Sequence, residues 1–365
     1  MLIRVSIGFL SQEYECQAHN DRMSRRGLKI MGLLALTAIT ATSSPTQTKK
    51  MSHPPVNPQA TREAKQLLKF LYSSYIKTTL TGQHNQMYHM SEPSNKIQTI
   101  TGKYPLVWGG EWGFSDERHD IDNVKYRPKL LDEIRQHHKN GQIIVMTYHQ
   151  ASPTIGEPCD FKGGVQVKLK DKEWEDILTP GSHLHKVWEE HVDRLAEAFK
   201  TLQKEHIPII FRAYHEMNGG WFWWGGNPDR FKRLWAMTYD RFTNFHKLNN
   251  LLWAWNPDKP YAGVENFFPG NDMVDIFGTD IYPARDRKET YPQEWYDRMK
   301  GLAGDKPLAL SEMSEIPSLE SLEKQPWAWF MSWDDLVFSA NKVEQIKTAF
   351  ASDKYRSEPW RRPVK

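Results

Sequence analysis

Hydrophobic positions along this chain follow two alternating patterns. Short apolar runs recur, each ending abruptly in polar or aromatic residues. They cover 79–84, 106–110, 143–149, 207–214, 251–256, 276–281, 308–312 and 329–332. Runs of that length with polar boundaries predict buried strands. Between them the spacing becomes helical. Ser182 can cap a helix whose apolar stripe is Leu184, Val187, Trp188, Leu195, Phe199 and Leu202. Asn227-Pro228 supplies an N-cap and a first-turn proline ahead of Phe231, Leu234, Trp235, Phe242 and Phe245. A helix over 127–139 stops at Asn140-Gly141. Weaker helical patterns cover 61–77, 292–302 and 341–351.

Strands alternating with helices predict parallel βα units. The simplest closed form for eight of them is an α/β fold of the (β/α)8, or TIM, barrel type, in one catalytic domain over 61–365. An open doubly wound sheet is the rival. No G-x-G-x-x-G opens the first unit, so a dinucleotide site has no support. In a barrel, chemistry gathers at the C-terminal strand ends. Those ends carry Gln83-His84-Asn85, Glu111-Trp112, Tyr148-His149-Gln150, His215-Glu216, Trp255 to Asp258, Asp280 with Tyr282, Glu312, and Trp333-Asp334-Asp335.

The fourth run is the most informative. It reads IPIIFRAYHEMNGGWFWW from Ile207 to Trp224, a buried strand that turns into Arg212, His215, Glu216, Asn218 and four consecutive aromatics. The seventh, PLALSEMSE, ends in Glu312. Glu216 and Glu312 then lie nearly across a barrel from each other, the arrangement that two-carboxylate glycoside hydrolysis needs. One carboxyl must keep its proton for the leaving oxygen, and the other must be ionised. Inward-facing Arg212 can hold a neighbouring carboxylate ionised, and Tyr282 can donate to the nucleophile. Glu315 competes for the nucleophile role but lies past the strand end.

Composition narrows the partners. Without residues 1–44 the chain holds 43 basic and 42 acidic residues, which leaves no electrostatic footprint for nucleic acid or an anionic membrane. All fifteen Trp follow residue 100, and flat indole faces suit sugar rings. Cys16 and Cys159 are the only cysteines, too few for a disulfide framework. Residues 1–44 read as an N-terminal extension and export signal. Translation is expected to begin at Met23, with a basic Ser24-Arg25-Arg26 region, an apolar run over 30–41 and small residues at 41–44. The Arg pair also resembles a twin-arginine signal. Residues 45–60 read as a linker. The expected location is secreted or periplasmic, with no membrane attachment after signal removal.

Other chemistries fit poorly. His215-Glu216 lacks the second histidine of H-E-x-x-H, because position 219 is glycine. His183, His185 and His191 are badly spaced for a shared metal and are expected to face solvent. No G-x-S-x-G occurs. No metal or cofactor is expected.

The stretch from Arg212 to Trp224 resembles the acid/base motif of glycoside hydrolase family 26. This is the β-mannanase family of the large barrel clan, with catalytic glutamates on strands four and seven. Supporting matches are Trp108-Gly-Gly-Glu111-Trp112, Tyr148 to Pro153, Gly278-Thr-Asp280-Ile-Tyr282-Pro283 and Ala309-Leu-Ser-Glu312. The resemblance covers roughly residues 65–355. It implies a retaining enzyme with Glu216 as acid/base and Glu312 as nucleophile. His149 would sit at the reacting sugar with His215 hydrogen-bonding near it, Tyr282 would support the nucleophile, Trp221 and Trp333 would serve as aromatic walls, and Arg212, Trp112 and Trp224 are further expected substrate-binding residues. The implied substrate is β-1,4-mannan, glucomannan or galactomannan, or their oligosaccharides. Mixed-linkage β-glucan and β-1,3-xylan remain as alternatives, as does a barrel that binds glycan without cleaving it. Residues 151–181, which carry Trp174, are the expected substrate-shaping loop.

Overall fold

Eight short parallel strands close on themselves in chain order: β1 Gly82–Asn85, β2 Val107–Glu111, β3 Ile143–Tyr148, β4 Ile209–Ala213, β5 Leu251–Trp255, β6 Ile276–Asp280, β7 Leu308–Met313 and β8 Phe330–Ser332. Helix α1, Arg62–Ser74, precedes the barrel. The connections carry α2 Glu92–Thr101, α3 Arg127–Lys139, α4 Asp171–Leu178, α5 His183–Lys204, α6 Pro228–Asp240, α7 Gln293–Ala303 and α8 Leu319–Lys324. Helices α9, Leu336–Ala340, and α10, Val343–Ala351, follow β8. Between β5 and β6 the described helical structure is one 3-10 turn, Val264–Phe267. The fold is a (β/α)8 barrel.

This computed structural model describes residues 53–75, 77–114, 123–283 and 288–361. The export signal and the Met23 start lie outside the described residues. Among those described, no helix is long and apolar enough to cross a membrane.

Strand residues alternate between two apolar clusters. Val107, Val145, Ile210, Leu252, Ile276, Ala309 and Met331 join the inner cluster, which α1 completes with Ala64, Leu67, Leu68 and Leu71. Trp108, Ile144, Phe211, Trp253, Phe277, Leu310 and Phe330 join the outer cluster, under the helices. A period of two is what a pleated strand imposes. Along the inner set the character changes with height. The lower positions are apolar, whereas His84, Glu111, Thr147, Arg212, Asn256, Asp280 and Ser311 are buried and polar. Polar groups at one end of a sealed barrel must be satisfied by one another or by a ligand.

Several expectations shift. The first run divides at Thr81: Thr79–Leu80 pairs with Tyr355–Arg356 in a separate two-stranded sheet, and the barrel strand starts at Gly82. Residues 53–60, read as the end of a linker, are packed instead. Val56 N donates to Asp275 Oδ1 (2.7 Å), and Asn57 is buried with its amide on Leu248 O and Asn249 Oδ1. Helix α2 was not predicted, although Pro93 in its first turn and left-handed Gly102 past its end are standard signals. Phe245 lies beyond α6 and is 63% exposed, so it does not join that stripe. His185 and His191 are buried rather than solvated, with His185 Nδ1 against Ile177 O (2.8 Å).

Candidate active site

Past β4 the chain makes a tight hook. Tyr214 (φ 45°) and Glu216 (φ 54°) both adopt left-handed backbone, which costs non-glycine residues roughly 1–3 kcal/mol each. The surroundings fix both. Tyr214 OH donates to Gln150 Oε1 (2.8 Å) and accepts from Trp188 Nε1 (3.1 Å). Glu216 N donates to Asn256 O (2.7 Å), and Glu216 O accepts from Gly219 N (2.9 Å). The hook turns the Glu216 side chain to the barrel mouth, where Oε2 accepts from Trp221 Nε1 (2.8 Å). Burial raises the Glu216 pKa well above the usual carboxyl range. The charges of Asp258, Asp280 and Glu312 add to this, and Arg212 opposes it.

Glu312 reaches the same place by a different device. Counting by twos from Ala309 turns it outward, but β7 carries a bulge. Thr279 pairs with Leu310, and Asp280 pairs with Glu312, so one extra residue is absorbed. Bulges re-aim side chains next to functional sites, and here both Ser311 and Glu312 face the interior. A side chain at Gly278 would collide with Ser311 Oγ and Asn256 Oδ1, so β6 needs glycine beneath Asp280. Glu312 is 5% exposed. Its Oε1 accepts from Arg212 Nη1 (2.7 Å), and its Oε2 accepts from Tyr282 OH (2.9 Å). The second guanidinium nitrogen of Arg212 bonds Asp280. Burial alone would lower the Arg212 pKa, but Asp280 and then Glu312 hold it above its ordinary value. Burial, then Glu312, pushes Tyr282 well up. Donor atoms of His215, Asp280 and Glu312 fall within 4.8 Å of one another. Arg212 already bridges two of the three, and its charge accounts for the cluster as an ion-pair network.

Histidines and aromatic rings complete the mouth. Glu111 is fully buried; its Oε2 meets His149 Nδ1 (2.7 Å), and its Oε1 accepts from His149 N (2.9 Å) and Gly113 N (2.7 Å). This grip sets the imidazole's orientation. His149 stands edge-on to His215, with ring centres 4.4 Å apart. His215 Nε2 lies 3.7 Å from Glu312 Oε1, and burial pushes its pKa well down. Phe114, Phe161 and Phe222 surround His149 at 5.4, 5.6 and 5.2 Å. Trp333, half-buried, stacks on His84 at 4.0 Å.

The sequence profile of glycosyl hydrolase family 26 matches residues 56–356. The chain belongs to glycosyl hydrolase family 26. Mannan endo-1,4-β-mannosidase of Thermothelomyces thermophilus is 29% identical over 343 residues, covering 88% of this chain and 66% of its own length. Mannan endo-1,4-β-mannosidase A of a Piromyces species is 29% identical over 307 residues, covering 81% of this chain and 48% of its own. The match thus spans 66% and 48% of the length of these two curated relatives. Among solved structures, GH26A from Muricauda sp. MAR_2010_75 is 37% identical, with a TM-score of 0.76, over 83% of this chain and 98% of that one.

Within this family 26 barrel, the expected site residues separate into three groups. Glu216, Glu312, Arg212, His215, His149 and Tyr282 converge at the mouth, with Trp221 and Trp333 on its walls. Trp224 stands one layer behind. It is fully buried, stacks on Phe222 at 4.5 Å and donates to His215 O (2.8 Å). Trp112 points the other way, into the layer between strands and helices, against Phe199 and under Arg127. Adjacent strand residues face opposite sides, so Trp112 and Glu111 cannot both face the mouth. Glu315 is tied to Thr290 Oγ1 (2.7 Å) in the loop after β7. In the 151–181 segment, Trp174 is buried on α4 against Trp223, while Phe161 is the ring that approaches His149. Sequence reasoning gave no role to Glu111, Asp280 or Asp258. Alternation from Gly109 and Gly278 places the first two inward; Asp258 was marked only by its place at the end of the fifth run.

Proposed function

We propose that this protein is a retaining mannan endo-1,4-β-mannosidase, with Glu216 as general acid/base and Glu312 as nucleophile. The observation that carries this reading is the contrast between the two carboxyl groups. Burial and the neighbouring charges of Asp258, Asp280 and Glu312 favour the protonated form of Glu216. Glu312 receives a hydrogen bond on each oxygen, from Arg212 and Tyr282. Glu216 would protonate the glycosidic oxygen while Glu312 attacks the anomeric carbon. The glycosyl–enzyme ester would then be hydrolysed by water that Glu216, now a base, deprotonates. His149 and His215 would contact the sugar at the reacting centre, with Trp221 and Trp333 as its aromatic faces. The names of the relatives support mannan as substrate. A polymer of that size calls for an enzyme outside the cytoplasm, in keeping with the pattern of residues 23–44.

Reducing-sugar release from linear mannan, galactomannan, lichenan and β-1,3-xylan tests the reading. Expected are mixed manno-oligosaccharides from mannan, β-anomers first in early NMR spectra, and loss of nearly all activity in Glu216→Ala and Glu312→Ala. Cleavage of lichenan or xylan alone would overturn the substrate. Full activity in either variant would overturn the residue roles.

A further inference from the structure

The loops that follow β1 and β8 are fastened to each other at the barrel mouth, above strands that share the register pair Gln83↔Ser332. The fastening point is Asp334, the residue after Trp333. Its Oδ2 accepts from Tyr88 OH (3.1 Å), and its Oδ1 lies 2.8 Å from His89 Nε2. Its backbone O accepts from Gln83 Nε2. Glu92 stands on the far side of His89, with Oε2 4.0 Å from Nδ1. Asp334 makes these contacts from a left-handed backbone (φ 48°). Aspartate visits that region when its side chain bonds locally, but this carboxylate reaches Tyr88, 246 positions away in the chain. Glycine would make the same turn without strain, so the carboxylate is more than the turn requires. What the turn carries is Trp333. Its ring lies nearly parallel on His84, with centres 4.0 Å apart and planes at 15°, and edge-on to His149 at 5.6 Å. Stacking fixes a plane and a separation but not a position within the plane. The backbone on either side of the indole must supply the rest.

We propose that Asp334 is a positioning residue that holds the Trp333 ring in place as a sugar platform, by clamping the loop after β8 to Tyr88 and His89 of the loop after β1. The inference rests on Trp333 being a sugar-facing wall of the site proposed above. On the Met313 side, Trp333 N donates to Met313 O (3.0 Å), which fixes where the residue leaves β7. On the other side Asp334 follows directly, so a rotation of its backbone would swing the indole. The side chains of His89 and Asp334 are 18% and 13% exposed. Their pairing is therefore shielded from much of the water that makes surface ion pairs weak. Glu111 holds His149 from behind in the same way, with Oε2 2.7 Å from Nδ1. Two neighbouring groups of the mouth are thus each held by a carboxylate that does not itself face the sugar. A substrate arriving over Trp333 meets a ring already ordered, and ordering it does not subtract from binding.

The test is 19F NMR of the full chain grown with 5-fluorotryptophan, with the Trp333 signal assigned by its absence in Trp333→Phe. Asp334→Gly removes the carboxylate while suiting the left-handed turn. It should move the Trp333 signal towards that of free fluorotryptophan and broaden it, leaving the signals of the buried indoles in place. On mannan it should raise KM about 3- to 10-fold with kcat nearly unchanged, the effect of weakening one aromatic face. In a Trp333→Ala background the same substitution should change KM no further. An unmoved Trp333 signal in Asp334→Gly overturns the proposal, as does an effect on KM that persists without the Trp333 ring. If Asp334→Gly does not fold, Tyr88→Phe combined with His89→Ala releases the same carboxylate from the other side, and the Trp333 signal in that variant decides. Wild-type protein that cleaves no mannan would remove the function proposed above, and the 19F signal would still report whether Asp334 sets the ring.

Discussion

Glu216 and Glu312 are chemically identical side chains made different by their neighbours. Tyr282 is the neighbour whose part can be isolated, because Tyr282→Phe removes one oxygen and leaves the ring. Hydrogen bonds to charged groups contribute roughly 1.5–3 kcal/mol. The variant should therefore lose about 10- to 100-fold in kcat, with KM nearly unchanged, in steady-state assays on mannan. The pH dependence has a definite sign. As the proposed general acid, Glu216 would enter the reaction protonated, and its pKa is raised. Activity is thus retained at mildly acidic pH and falls as pH rises through that raised value. That both glutamates would meet at the barrel mouth was legible because each ends an apolar run. The grip of Glu111 on His149 was not, because it joins residues 38 positions apart across two strands.

The loop after β3 shows how one element can depend on a single buried charge pair. Arg127, at the start of α3, holds Glu157 with two bonds of 2.9 and 2.6 Å, and Tyr148 OH donates to the same carboxylate (2.9 Å). The Glu157 side chain is 4% exposed and that of Arg127 8%. Removing one partner leaves the other charge buried, at a cost of roughly 3–5 kcal/mol. Glu157→Ala should lower the denaturant midpoint accordingly. It should also raise KM more than it lowers kcat, because the loop it anchors presents Phe161 beside His149. Helix α5 and its Ser182 cap were legible from spacing, as was the stop of α3. Helix α4 was hidden inside an apparent loop, where eight residues are too few for periodicity to stand out. The bulge in β7 was equally hidden, since sequence alternation carries no mark where one residue is absorbed.

At the scale of the molecule, the barrel has a thin seam. Strands β1 and β8 meet at Gln83↔Ser332, whereas β2 and β3 share five registered pairs. The pairing of Thr79–Leu80 with Tyr355–Arg356 lies beside this seam, and Tyr355, 4% exposed, packs edge-on to Phe330 of β8 at 5.3 Å. Losing a large buried aromatic costs about 3–5 kcal/mol. Tyr355→Ala should show that loss in chemical denaturation while activity per folded molecule is retained, because the seam's sheet carries none of the site residues. The closed barrel was legible as soon as eight alternating units were counted. The small sheet beside the seam was not, because its partners lie 276 residues apart in register.

The distribution of indole rings has a chemical consequence. Twelve of the fifteen tryptophans are buried under helices or in the core, leaving Trp221, Trp333 and Trp360 within reach of solvent. Trp221 is 37% exposed and is bonded to the acid itself. A mild indole-selective oxidant such as N-bromosuccinimide should therefore act as an affinity reagent without being designed as one. Inactivation should track the loss of the first one or two rings, manno-oligosaccharide should slow it, and Trp221→Phe should blunt it. Peptide mapping of the oxidised enzyme would show which ring reacted first.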